Sequence, residues 1–172
     1  MGMQTDVRQA HLGASGWFIP DARVRIKGIS VRGTSSAGKM GLFATDTAPI
    51  AATYVQSGTT ITVTSNAHGL STGDIVGIAY VKGTGGSASC GNSAITVTDA
   101  NTFTITCFNS FTITGDPACY YVTGDNSWLA TFSTAATDIY NNYFLVPGQG
   151  MLSDKKPYGQ FVNIDSAFIF YG

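Results

Sequence analysis

Hydrophobic and polar residues alternate with period two along much of this chain. The runs Thr59-Thr60-Ile61-Thr62-Val63-Thr64, Ile95-Thr96-Val97-Thr98 and Thr102-Phe103-Thr104-Ile105-Thr106 place threonine against β-branched or aromatic residues. Successive side chains of an extended strand point to opposite faces, so each run predicts a strand with one hydroxyl face and one apolar face. Residues 22–31 alternate in the same way, and residues 39–44 follow a Gly/Ser-rich turn. Residues 128–133, 140–146, 159–164 and 166–171 complete the predicted strands, with the turn Pro147-Gly148-Gln149-Gly150 before the closing pair. Helical periodicity is confined to residues 133–143, which predict a helical turn or two. The pattern as a whole predicts an all-β fold.

The threonine runs fall in the middle of the chain. Removing residues 54–123 leaves a continuous sequence of roughly a hundred residues, a common size for a small β-sandwich. The expected organisation is therefore a small antiparallel, jelly-roll-like sandwich built from residues 1–53 and 124–172, carrying residues 54–123 as an inserted β-module.

Between the first two threonine runs lies Ala67-His68-Gly69-Leu70-Ser71-Thr72-Gly73-Asp74-Ile75-Val76, and between the last two lies Asp99-Ala100-Asn101. A threonine strand, then His-Gly-Leu with Gly-Asp two residues on, a strand, and Asp-Ala-Asn-Thr-Phe opening another, resembles a small β-module of bacteriophage structural proteins. That module is usually named after the first catalytic cysteine half-domain of ubiquitin-activating enzymes. The resemblance covers about two-fifths of the chain. It implies a phage particle and no catalytic cysteine, and none of the cysteines here lies in the matched motif. The flanks resemble short phage virion proteins in which Arg-Val-Arg/Lys-Gly-Ile precedes a strand and Pro-Gly-Gln/Glu-Gly precedes a last strand ending Phe-Tyr-Gly. The matching residues are Arg23 to Ile29, Pro147 to Gly150 and Phe170 to Gly172.

Charge and composition narrow the function classes. Only 11% of the 172 residues are charged, the net charge is −1, and aromatics reach 12%. An ordinary chain carries about a quarter charged residues, so much of the surface is uncharged. Two readings share that observation: surface that becomes interface in an assembly, or a β-protein kept soluble by Thr, Ser and Asn. Arg23, Arg25 and Lys27 lie on alternate positions and share a strand face, which reads first as a solvated face. No aromatics interleave with them as a nucleic-acid platform requires. Nucleic acid is not an expected partner. No apolar run has the length of a signal peptide core or a membrane span, so neither export nor a membrane partner is expected. The polar start, residues 1–11, reads either as an arm ordering on a neighbouring subunit or as a frayed terminus or first edge strand.

Candidate chemistry is sparse. Cys90, Cys107 and Cys119 lack the paired spacing of a zinc site, and neither His11 nor His68 completes one. One disulfide with a leftover thiol remains open, with Cys107 and Cys119 bracketing a segment that could fold back as a hairpin; buried free thiols remain equally open. His68 with Asp74 has the residue types of an acid–base pair, but Gly69 and Gly73 suit a turn between strands, and the structural reading is preferred. Asp116, Asp125, Asp138, Asp154 and Asp165 sit singly in expected turns. No nucleophile elbow, phosphate-binding loop or dinucleotide fingerprint is present. The expectation is no enzyme, no cofactor and no catalytic or metal residue.

Two function classes remain. In the first, a virion protein made in the host cytoplasm docks on the phage capsid or on its neck or tail as an accessory or decoration protein. A protein that binds only the assembled lattice stabilises it by mass action. A homo-oligomer, a trimer among the candidates, fits this class, and an open sheet edge, residues 23–31 being one candidate, would serve for docking. In the second, an adhesion module of the tail binds host receptors or glycans through residues 82–92 and 141–143. A third reading, ice or mineral binding by threonine rows, demands long flat arrays, and the runs here are few and irregular.

Overall fold

The structure is a computed structural model in which residues 8–18, 24–125, 127–134, 141–145 and 151–172 are described. Every regular element among them is a strand. The first four are β1 (Arg8–Leu12), β2 (Gly16–Trp17), β3 (Val24–Gly33) and β4 (Gly38–Ala44). The middle of the chain forms β5 (Ile50–Thr64), β6 (Ile75–Tyr80), β7 (Asn92–Ala94), β8 (Thr96–Asp99), β9 (Thr102–Ile113) and β10 (Ala118–Thr123). The last five are β11 (Trp128–Thr134), β12 (Asn141–Leu145), β13 (Met151–Ser153), β14 (Pro157–Val162) and β15 (Ile164–Tyr171). The chain is thus an all-β protein. It divides into two compact units, Met1–Asp46 with Thr131–Gly172, and Thr47–Ala130.

The first unit is the small antiparallel sandwich that the chain ends predict. One sheet runs β1-β15-β3-β12, with β13 also paired to β3, and the other runs β11-β4-β14-β2. Ile26, Ile29, Val31, Met40, Leu42, Ala167 and Ile169 are buried completely and form its core. At a second cluster Trp17 meets Tyr158 edge-on at 4.9 Å between ring centroids and donates its indole N–H to the Thr45 carbonyl.

Two bulges keep this core in phase. In β3, Ile26 pairs with Tyr171 and Gly28 with Phe170, so Lys27 has no opposite number on β15. An extra residue reverses the alternation. Without it Ile26 and Ile29 would face opposite sides; with it both are buried, and Lys27 is exposed. The uninterrupted alternation expected over residues 22–31 is therefore broken at Lys27, and Arg23 lies outside the described residues. Asp165 plays the same part in β15, between the pairs Ile164–Gly33 and Ser166–Arg32.

Several expectations are corrected here. β3 is no docking edge, because β15 flanks it on one side and β12 and β13 on the other. The edge-strand reading of the polar start, by contrast, fits residues 8–11, which belong to β1 on β15, where the His11 ring lies 4.5 Å from that of Phe168. The stretch expected to hold a helical turn is strand at both its ends, and its middle, residues 135–140, lies outside the described residues. Ser133 and Thr134 close β11, and Asn141 to Tyr143, offered as a binding loop, open β12. Asp165 lies in a strand, 3.4 Å from Arg32 in an exposed ion pair. Asp138 and the turn at residues 147–150 lie outside the described residues.

The second unit is a single six-stranded antiparallel sheet in the order β7-β6-β10-β5-β9-β8. Its buried core holds Tyr54, Ile61, Val63, Val76, Ile78, Tyr80, Phe103, Ile105, Ile113, Cys119 and Tyr121. Residues Ile50 to Thr53, which the sequence reading leaves outside the module, pair with Tyr121 to Ala118 on β10. The edge strands β7 and β8 are three and four residues long. Short edges offer little ladder to a foreign strand.

Candidate functional site

The His68 and Asp74 segment is a structural turn. Leu70 N–H donates to His68 Nδ1 at 3.0 Å, so Nε2 carries the ring proton and donates to the Asp99 carbonyl at 3.0 Å. Asp74 accepts the Ser71 N–H at 2.8 Å. Both side chains are thus committed to backbone partners. Gly69 and Gly73 have φ of +64° and +98°, the left-handed region where glycine carries no penalty. The segment at 65–70 also locks onto Asp99-Ala100-Asn101. Ser65 N–H donates to Asn101 O, His68 N–H to Ala100 O, and Ala67 N–H to Asn101 Oδ1. The two motifs noticed in the sequence are therefore each other's hydrogen-bonding partners.

The hydroxyl faces of β5, β9 and β8 assemble into rows: Thr60 opposite Thr106, Thr62 opposite Thr104 with Thr96 on the far side of Thr104, and Thr64 opposite Thr102. Their opposite faces supply Ile61, Val63, Phe103 and Ile105 to the core.

A more unusual surface lies where β9 leaves its ladder with β5. Thr106 pairs with Thr60 and Phe111 with Gly58, so residues 107–110 stand opposite Thr59 alone. This four-residue excursion carries Phe108 at full exposure, and Phe111 beside it is 42% exposed. An aromatic side chain in water forgoes about 1.5–3 kcal/mol of burial free energy. The excursion is nonetheless well anchored. Cys107 is disulfide-bonded to Cys90, with 5.9 Å between Cα atoms. Gln56 Nε2 donates to Asn109 O at 2.7 Å, and Asn109 Nδ2 donates to Ser89 Oγ at 3.0 Å.

Residues 82–92, which read as a Gly/Ser-rich loop, are pinned to the strands around them. Tyr54 OH donates to Val81 O at 2.7 Å and accepts from Ala88 N–H. Thr84 bridges Thr114, and a Cβ on Gly85 would overlap the Thr112 carbonyl. The close approach explains that glycine. The site is thus a rigid rim with an apolar tip, a form suited to docking.

The disulfide corrects the suggested hairpin: Cys107 pairs with Cys90, and Cys119 is a buried thiol that desolvation pushes well above its ordinary range. Such a thiol is a poor nucleophile. Among the described residues no group of three or more His, Cys, Asp or Glu is placed to hold a metal ion. The sequence reading missed Phe108 and Phe111, and the only available signal was their interruption of the threonine alternation. Comparison with family models, curated proteins and solved structures finds no match.

Proposed function

We propose that this protein is a bacteriophage virion structural protein, a non-enzymatic accessory or decoration protein that docks on the capsid or on the neck or tail through protein–protein contacts. The observation that carries the reading is Phe108, fully exposed on a rim held by a disulfide and side-chain hydrogen bonds. Pre-organised aromatic anchors are the usual centres of protein interfaces, because little entropy remains to be lost on docking. The resemblance of residues 59–105 to a phage structural module supports the same reading, as does the low charge.

Host glycan or receptor binding draws less support. A sugar site needs free polar groups around its aromatic platform, and here Asn109 is bonded to Ser89. The test is proteomic and genetic. Particles purified from the phage that encodes this chain should contain it, and Phe108→Ser should reduce its copy number without unfolding it. Absence of the wild-type protein from purified particles would overturn the reading.

A further inference from the structure

We propose that Cys90 and Cys107 form a redox-operated clamp that fixes the Phe108 tip in its projecting position when closed and releases it when reduced. The two cysteines belong to different segments, the rim at 82–92 and the excursion at 107–110, so their bond joins surfaces that the β-ladder does not. Thr106 and Phe111 fix the two ends of the excursion on β5, and the residues between them have Thr59 alone opposite.

An opposing bias acts on the same element. Gln56 is 2% exposed, and its Oε1 has no hydrogen-bond partner among the described residues while Nε2 serves Gly58 and Asn109. An unsatisfied buried acceptor favours any motion that hydrates it. Gln56 is bonded to the excursion through Asn109 O, so lifting the excursion would open Gln56 to water at the cost of that bond, and the disulfide opposes the lift. The clamp does not depend on what the tip docks against.

Closure needs an oxidant, and a low-molecular-weight disulfide such as oxidised glutathione suffices. Cys90, the more exposed of the pair, attacks one sulfur as its thiolate and expels one small thiolate. Cys107 then attacks the Cys90 sulfur of the mixed disulfide and expels the second. Two protein thiols lose two protons and two electrons, and one small disulfide becomes two thiols. Cys119 stays out of the exchange because it is wholly buried. A protein made in a reducing cytoplasm would close its clamp only on release.

The test uses the wild-type chain equilibrated with reduced or with oxidised glutathione. Hydrogen exchange of residues 107–111 and chymotryptic cleavage after Phe108 are followed in each. Both should be slower in the oxidised form, on the order of tenfold or more, because cleavage tracks the opened population. Cys119→Ala should keep the whole response, and the Cys90→Ser/Cys107→Ser double variant should behave as the reduced form in both mixtures. Equal rates in the two mixtures, failure of oxidised glutathione to form the Cys90–Cys107 bond, or loss of the response in Cys119→Ala would each overturn the proposal.

Discussion

Asn92 and Trp128 are joined by a reciprocal pair of hydrogen bonds. The Asn92 Nδ2 donates to the Trp128 carbonyl at 2.9 Å, and the Trp128 N–H donates to Asn92 Oδ1 at 2.9 Å. A single amide side chain thus satisfies both backbone groups of the residue that opens β11, much as a neighbouring strand would. Gly91 lies against the indole ring, where a Cβ would overlap it.

Asn92→Ala should lower the unfolding free energy by about 1–3 kcal/mol, the net worth of two such bonds. Asn92→Asp keeps the acceptor and loses the donor, so its midpoint in urea should fall between those of wild type and Asn92→Ala. Equal midpoints for all three would mean that water replaces the pair at no cost.

Stability should decline at alkaline pH. Burial raises the Cys119 thiol above its ordinary value of 9.0 and the Tyr80 phenol well above 10.0. A raised folded-state pKa means that the folded protein holds a proton the unfolded chain has released. The contribution is complete below pH 9 and is lost as pH rises towards the folded values, by up to about 1.4 kcal/mol per pH unit for each group. Cys119→Ala should move the onset of the decline upward by about one unit, from the thiol to the phenol range. Tyr80 OH is buried with no hydrogen-bond partner among the described residues. Tyr80→Phe should therefore stabilise by about 1 kcal/mol at neutral pH and flatten the alkaline limb. Urea titrations from pH 7 to 11 read both effects.

Phe108 and Phe103 are five residues apart on the same strand and should respond oppositely to substitution. Phe103 is wholly buried and packs edge-on against Tyr121 with 5.5 Å between ring centroids. Phe103→Ala should cost about 3–5 kcal/mol. Phe108→Ser should change stability by less than about 0.5 kcal/mol and raise solubility. Thermal unfolding of the two variants separates a core residue from a docking residue.

The bulge at Lys27 predicts an asymmetry between deletions. Removing Lys27 leaves Ile26, Ile29 and Val31 on the same face, so the variant should fold with near-native circular dichroism. Removing Ser30 turns either Ile29 or Val31 outward and sets it opposite the wrong residue of β15. That variant should be insoluble or unfolded. A folded Ser30 deletion would mean that the register of β3 is less constrained than its central position implies.

Much of this molecule is written locally. Alternation at period two is a property of a strand's immediate neighbours, and it marks β4, the second half of β5, the start of β9, and most of β8, β11 and β15 from residue order alone. The His68 to Asp74 turn was legible for the same reason, since glycines at positive φ and short polar side chains act within a few residues. What alternation cannot express is an extra residue. Lys27, Asp165 and the excursion opposite Thr59 reverse or interrupt the pattern only because another strand fixes the phase. Phe108 was invisible for that reason: in sequence it is one more aromatic in a β-run, and only its missing partner on β5 puts it in water. The same holds for Cys90 and Cys107, which meet because the Thr84–Thr114 bridge and the Asn109–Ser89 hydrogen bond set residues 82–92 beside β9, a proximity made by tertiary pairing and by nothing near either cysteine in the chain.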